Sequence, residues 1–171
     1  MKTETATVRI YVGTYGKYNA GSIKGAWLDL EDYSDKDAFL IACAELHKDE
    51  SDPEFMFQDS EGIPYGYADE SSIDGDLWEW LALDESDRDI LTAYCAAMGQ
   101  KMSFNDAQDA FAGIYADGAT FAESIAEETG AVPKDFPTWI SIDWERTWGC
   151  NLRHDYVTED HKNETYFFRN C

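Results

Sequence analysis

Residues 7–15 (TVRIYVGTY) and 23–30 (IKGAWLDL) are dense in β-branched and aromatic side chains and predict two strands. Between them, residues 16–22 (GKYNAGS) supply the Asn and Gly that tolerate a tight loop, so the pair reads as a hairpin. Phe39, Cys43 and Leu46 then recur at helical spacing behind Ser34 and Asp37, which resemble a helix start, and predict a helix running to His47. Residues 54–58 (EFMFQ) predict a third strand, completing a small sheet that carries one helix.

Beyond Gly62 comes a turn-rich loop, then Leu77, Trp80 and Leu81 as a helical turn or two. Ser86 with Asp89 opens a helix whose stripe is Ile90, Leu91, Tyr94 and Met98, closed by Gly99. Ser103 with Asp106 opens the next, with Ala107, Ala110, Phe111 and Ile114 as its core face, and Thr120 with Glu123 forms a capping box for another that stops at Thr129-Gly130. Pro137 fits the first turn of a last helix in which Ile140, Trp144, Trp148 and Leu152 recur every four residues. Residues 156–157 and 165–169 predict two closing strands. The pattern is that of an α+β protein in three consecutive sections: a sheet-plus-helix unit over 1–61, a helical middle over 62–101 and a mixed unit over 102–171.

Composition adds that this chain folds: 44 % of its 171 residues are hydrophobic and 15 % aromatic. Charge changes the picture more. Thirteen Lys and Arg face 35 Asp and Glu, a net −22, so no basic patch exists for nucleic acid or anionic lipid. No apolar run approaches the length of a membrane span, and residues 1–8 lack the apolar core of a secretory signal, which makes the cytoplasm the expected location. The four cysteines form no CxxC pair, and no disulfide framework is expected.

The acids are unevenly placed. Between Lys48 and Arg88 no base occurs, yet fourteen acids do: Asp49, Glu50, Asp52, Glu54, Asp59, Glu61, Asp69, Glu70, Asp74, Asp76, Glu79, Asp84, Glu85 and Asp87. A second base-free stretch, 102–133, holds Asp106, Asp109, Asp117, Glu123, Glu127 and Glu128. Acids three or four residues apart on a helix repel, so stability alone does not accumulate them. They can stand in for phosphates: at about one charge per 1.7 Å of duplex axis, the net charge corresponds to about 37 Å of DNA. A symmetric dimer corresponds to roughly twice that, about 22 base pairs. Composition by itself leaves open a merely solvated or salt-adapted acidic surface.

Other chemistry finds little support. Gly13-Thr-Tyr-Gly16-Lys17 is too short for a phosphate loop and leads into a hairpin. A calcium loop starting at Glu70 has Leu81 where the bidentate Glu belongs. Cys150, His154, His161 and Cys171 match no standard zinc spacing. No metal, cofactor or catalytic set is therefore expected.

Three ordered segments resemble the ArdA antirestriction proteins. They are residues 10–30 (IYVGTYGKYNAGSIKGAWLDL), with the Lys17-Tyr18-Asn19 turn, Gly21 and Gly25-Ala26-Trp27; the acid-rich residues 45–62 (ELHKDESDPEFMFQDSEG); and 121–152, with Glu127-Glu128-Thr129-Gly130 and Ile142-Asp143. Between 65 and 118 the match is one of acidity and length. The resemblance implies an elongated, dimeric, non-enzymatic inhibitor encoded on a plasmid, transposon or phage, whose carboxylates imitate B-form DNA. Its implied target is a Type I restriction-modification enzyme, above all the methyltransferase core. The dimer contact is expected in the carboxyl-terminal section, where Trp139, Trp144 and Trp148 exceed the needs of a small core. The rival reading is an acidic module for another basic protein, such as a nucleoid protein or polymerase subunit.

Overall fold

The computed structural model describes residues 7–170; residues 1–6, most of the segment searched for a leader, and Cys171, one of the side chains weighed for zinc, lie outside them. The described chain is α+β, with seven α-helices and two three-stranded antiparallel sheets. It divides into two compact units, one comprising Met1–Arg88 with Gly99–Lys101, the other Asp89–Met98 with Met102–Cys171. Among the described residues no helix is long and apolar enough to cross a membrane.

In unit 1, β1 (Arg9–Thr14) is the middle strand, with β2 (Ala26–Asp29) and β3 (Phe55–Glu61) antiparallel on either side. The hairpin and the third strand thus form as the pattern predicts. The connection is more than a loop: Tyr15–Asn19 forms a short helix, α1, because the Thr14 hydroxyl accepts the Lys17 amide, and Gly21 at φ 81° leads the chain out. Helix α2 (Lys36–Leu46) starts one residue beyond the Ser34 signal, since the Asp35 carboxylate takes the Ala38 amide at 2.8 Å. Its Phe39 and Cys43 are fully buried, with the Phe39 ring 6.1 Å from Phe57 of β3.

A bulge in β3 sets which face the acids occupy. Val12 pairs with Phe57 and Tyr11 with Asp59, leaving Gln58 as the extra residue. Phe57 therefore joins the core while Asp59 and Glu61, of the same sequence parity, stand on the outer face beside Tyr11 and Arg9. Farther on, Ala68 bridges Ile73, and α3 (Leu77–Leu81) buries Leu77 and Trp80. Gly66, at φ 83°, lies so close to the Lys101 backbone that a Cβ there would collide with it.

Helix α4 (Glu85–Met98) begins with the Asp84 carboxylate accepting the Asp87 amide at 3.0 Å, so Asp84, not Ser86, provides its start. In unit 2 this helix buries Ile90, Leu91, Ala93, Tyr94 and Cys95. Ser103 caps α5 (Phe104–Ala110) as predicted. The predicted core face, however, runs past the helix end: Phe111–Tyr115 is a strand, β4, and Ile114 is exposed. The cause is pairing with the last strand across a bulge, with Gly113 at φ 126°, a conformation no α-helix holds.

Helix α6 (Gly118–Glu128) is capped by Asp117, which accepts both the amide and the hydroxyl of Thr120 at 2.8 Å, so Thr120 lies inside the helix. Gly130 at φ 67° ends it, as expected. The last helix, α7, is only Trp144–Cys150, capped by Asp143. Pro137 and Ile140 precede it in a turn closed by the Ile140 amide on the Pro137 carbonyl, and Leu152 falls in a 3-10 turn, Leu152–His154. The four-residue stripe thus spans a turn, a helix and a second turn. Strands β5 (Tyr156–His161) and β6 (Glu164–Arg169) are joined by Lys162 and Asn163, both at positive φ.

The sheet order is β4, β6, β5, and the central β6 buries three successive aromatics, Tyr166, Phe167 and Phe168. Successive side chains point to opposite faces, so both faces are covered. Phe167 stacks on Phe121 of α6 at 4.6 Å and meets Trp148 of α7 at 5.4 Å; Phe168 meets Tyr94 of α4 at 4.9 Å and Phe111 at 5.8 Å. The Trp148 indole lies against Gly118, where any Cβ would collide with it.

Candidate functional site

Unit 1 holds 21 acids against eight bases, a net −13, and unit 2 holds 14 against five, a net −9. Of the twenty acids of the two base-free stretches, seventeen are exposed; Glu50, Asp74 and Asp87 are half-buried. The fourteen from Asp49 to Asp87 belong to unit 1. Asp49, Glu50 and Asp52 lie in the turn after α2, Glu54 just before β3, Asp59 and Glu61 on its outer face, and Asp69, Glu70, Asp74 and Asp76 in the loop before α3. Glu79 lies on α3, and Asp84, Glu85 and Asp87 at the start of α4. In unit 2, Asp106 and Asp109 lie on α5, Asp117 at the start of α6, and Glu123, Glu127 and Glu128 along it.

Several of these acids have local work, which the sequence does not separate from the rest. Asp84 and Asp117 are helix caps. Asp69 accepts the amides of Ser71 and Ser72 at 2.8 and 2.7 Å, and these bonds hold its carboxyl below the usual range. Asp117 is lowered in the same way, by the Thr120 amide and then its hydroxyl. Among the described residues, Asp52, Glu54, Glu70, Glu79, Asp109, Glu123, Glu127 and Glu128 make no side-chain hydrogen bond or ion pair. Those eight, all exposed, are free to meet a partner.

The base-free stretch is not base-free in space. Arg9 binds Glu61 at 2.7 Å, its guanidinium 4.6 Å above Trp27. The Lys17 ammonium binds Asp49 at 2.8 Å and Glu50 at 3.4 Å, and Lys24 reaches Asp49 at 4.0 Å. Lys101 binds both Asp74 and Asp76 at 2.6 Å. These bonds hold Asp49, Glu61 and Asp74 below the usual carboxylate range, through Lys17, Arg9 and Lys101 respectively. Lys17 is anchored from beneath: His47, 1 % exposed, accepts it on Nδ1 at 2.8 Å and gives its Nε2–H to the Val12 carbonyl at 3.1 Å. Buried Thr14 donates to Glu50 at 2.7 Å. Sequence reading missed these bases because they lie before and after the stretch they serve; the Lys17 turn was its only trace.

The three tryptophans differ in setting. Trp139 is 83 % exposed in the segment before α7, next to exposed Ile140. Trp144 and Trp148 are half-buried, and Trp148 packs edge-on against Phe121 and Phe167. Among the described residues no group of three or more His, Cys, Asp or Glu side chains is arranged to hold a metal ion.

Comparison with known families matches residues 10–164 to the antirestriction protein family ArdA. The chain belongs to the ArdA family. It is thus an antirestriction protein, of a family of inhibitors whose partners in general terms are restriction-modification enzymes. The match spans both units, including the middle stretch in which acidity and length alone carried the resemblance. No curated protein matches this ArdA-family chain.

Proposed function

We propose that the protein inhibits restriction by presenting its surface carboxylates as a substitute for the phosphates of B-form DNA, and that it occupies the DNA groove of a Type I restriction-modification enzyme at the methyltransferase core. The observation that carries this reading is the exposure of seventeen of the twenty acids in the base-free stretches, eight of those seventeen making no side-chain hydrogen bond or ion pair among the described residues. A groove lined with Lys and Arg would bind such a surface in competition with DNA, and with no bases to read it would do so whatever the enzyme's recognition sequence. The place of action is the cytoplasm, where restriction enzymes meet incoming DNA.

The purified protein should compete with unmodified duplex for a purified Type I methyltransferase. Between about 50 and 200 mM salt that competition should fall on the order of tenfold to a hundredfold. A folded sample that fails to compete at low salt removes this target and favours a different basic partner, such as a nucleoid protein.

A homodimer, joined through unit 2, belongs to the same proposal. Trp139 is its natural contact, being the most exposed large apolar side chain among the described residues. Sedimentation at micromolar concentration should show a dimer for the wild type and a monomer for Trp139→Ala; a monomeric wild type removes the dimer.

A further inference from the structure

Lys101 lies in the short segment Gly99–Lys101 that belongs to unit 1, although the residues on either side of it belong to unit 2. Its backbone packs on Gly66, its ammonium stands 5.1 Å above the ring of buried Tyr67, and its side chain is 31 % exposed. From that fixed base it bonds Asp74 Oδ2 and Asp76 Oδ2, each at 2.6 Å. Two oxygens each 2.6 Å from one nitrogen are at most 5.2 Å apart. Asp74 is held at its other oxygen too, Oδ1 accepting the Asp76 amide at 3.0 Å, while its own amide donates to the Tyr67 carbonyl at 2.8 Å.

We propose that Lys101 is a positioning residue of the acidic surface, which holds Asp74 and Asp76 together as one pre-organised pair for a basic groove. Two neighbouring carboxylates repel, and in a loop they would separate and move; one ammonium between them removes the repulsion and fixes their spacing. Lys17 repeats the device at Asp49 and Glu50. In both places a base enters the acid stretch from outside it; at Asp74 and Asp76 it leaves a net charge of −1 at a defined position in place of −2 at undefined ones, whereas at Asp49 a second base, Lys24, also reaches the pair. Partial burial pulls the Lys101 ammonium down, but its bonds to Asp74 and Asp76 outweigh this and keep it charged.

The role in binding rests on the mimicry proposed above, and it has an unusual sign. Lys101→Met makes the protein one unit more negative, so if net charge alone set affinity the variant would bind a basic groove more tightly. Positioning predicts the reverse. Competition with duplex DNA for a purified Type I methyltransferase should weaken roughly two- to fivefold in Lys101→Met, and Lys101→Arg, which can also bridge two carboxylates, should recover most of it.

The clamp itself is read without any partner, by following the side-chain carboxyl signals of Asp74 and Asp76 in the full-length protein through an acid titration. Asp74 titrates below the ordinary carboxylate range in the wild type and should return towards it in Lys101→Met. An unchanged Asp74 titration overturns the clamp. Tighter or equal competition by a folded Lys101→Met overturns its role in binding. If the wild type itself does not compete, the mimicry reading and the binding role fall together, and the titration still decides the clamp. Should Lys101→Met fail to fold, Asp76→Asn supplies the second test: loss of one partner must leave competition weaker than that of Glu79→Gln, an equal charge change at an acid with no internal bond.

Discussion

Changing Asp52, Glu54, Glu70 and Glu79 together to Asn and Gln should lower competition for a Type I methyltransferase on the order of a hundredfold, while each single change costs about two- to fivefold. The four are exposed, lie in unit 1 and make no side-chain hydrogen bond or ion pair among the described residues. Their loss therefore removes charge without removing a cap or a clamp. Native-state hydrogen exchange in unit 1 of the variant should stay level or slow, because self-repulsion in a chain of net charge −22 falls. Replacing the capping acids Asp84 and Asp117 by Ala must behave differently: it destabilises helices α4 and α6 as well as removing charge. Full competition by the stable quadruple variant would rule out a phosphate-like role for these acids.

The largest loss of stability is expected from Phe121→Ala. Phe121 is fully buried and its ring meets those of Tyr115, Trp148, Tyr156 and Phe167 at 4.6 to 5.7 Å. Truncating a phenylalanine so enclosed costs about 3–5 kcal/mol, the cavity adding to the lost burial. A chain of two units need not unfold in one step, so a single global transition is the wrong measure. Native-state hydrogen exchange at the amides of Tyr166, Phe167 and Phe168 reads unit 2 alone and should speed up by on the order of a hundredfold or more. A change under tenfold would mean that Phe121 does not hold α6 onto the sheet.

Much of the fold was legible in the sequence because it is written locally. The alternation in residues 9–14, the aromatic and apolar run at 26–28 and the spacing of Phe39 and Cys43 each specify their own element, although the connection expected as a loop holds helix α1. The errors arise where a distant strand decides. Phe111 and Ile114 continue the helical spacing of Ala107 and Ala110, yet pairing with β6 makes them a strand. Ile140, Trp144, Trp148 and Leu152 keep a period of four through a stretch in which only Asp143 starts a helix and only residues 144–150 are helical. The caps slipped for a smaller reason: beside Ser34, Ser86 and Thr120 there is an Asp that accepts the relevant amide instead, and pattern alone does not rank two acceptors so close in the chain.

The candidate surface was legible as composition but not as arrangement. Counting found the acids; it could not tell Glu79, which has no internal bond, from Asp84, which starts a helix, or from Asp76, which a lysine holds. The bulge at Gln58 is another such gap, since strict alternation would have put Asp59 and Phe57 on one face.

Strand β6, covered on both faces and paired on both edges, also bears on synthesis. It follows every other element of unit 2 in chain order, yet α4, α5, α6 and α7, with both edge strands, pack or pair on it or on strands it holds. While the ribosome is still adding residues 89–160, the aromatic faces of those helices have nothing to close on. Unit 1 has its three strands by residue 61 and can assemble during translation, whereas unit 2 must wait for its central strand to emerge.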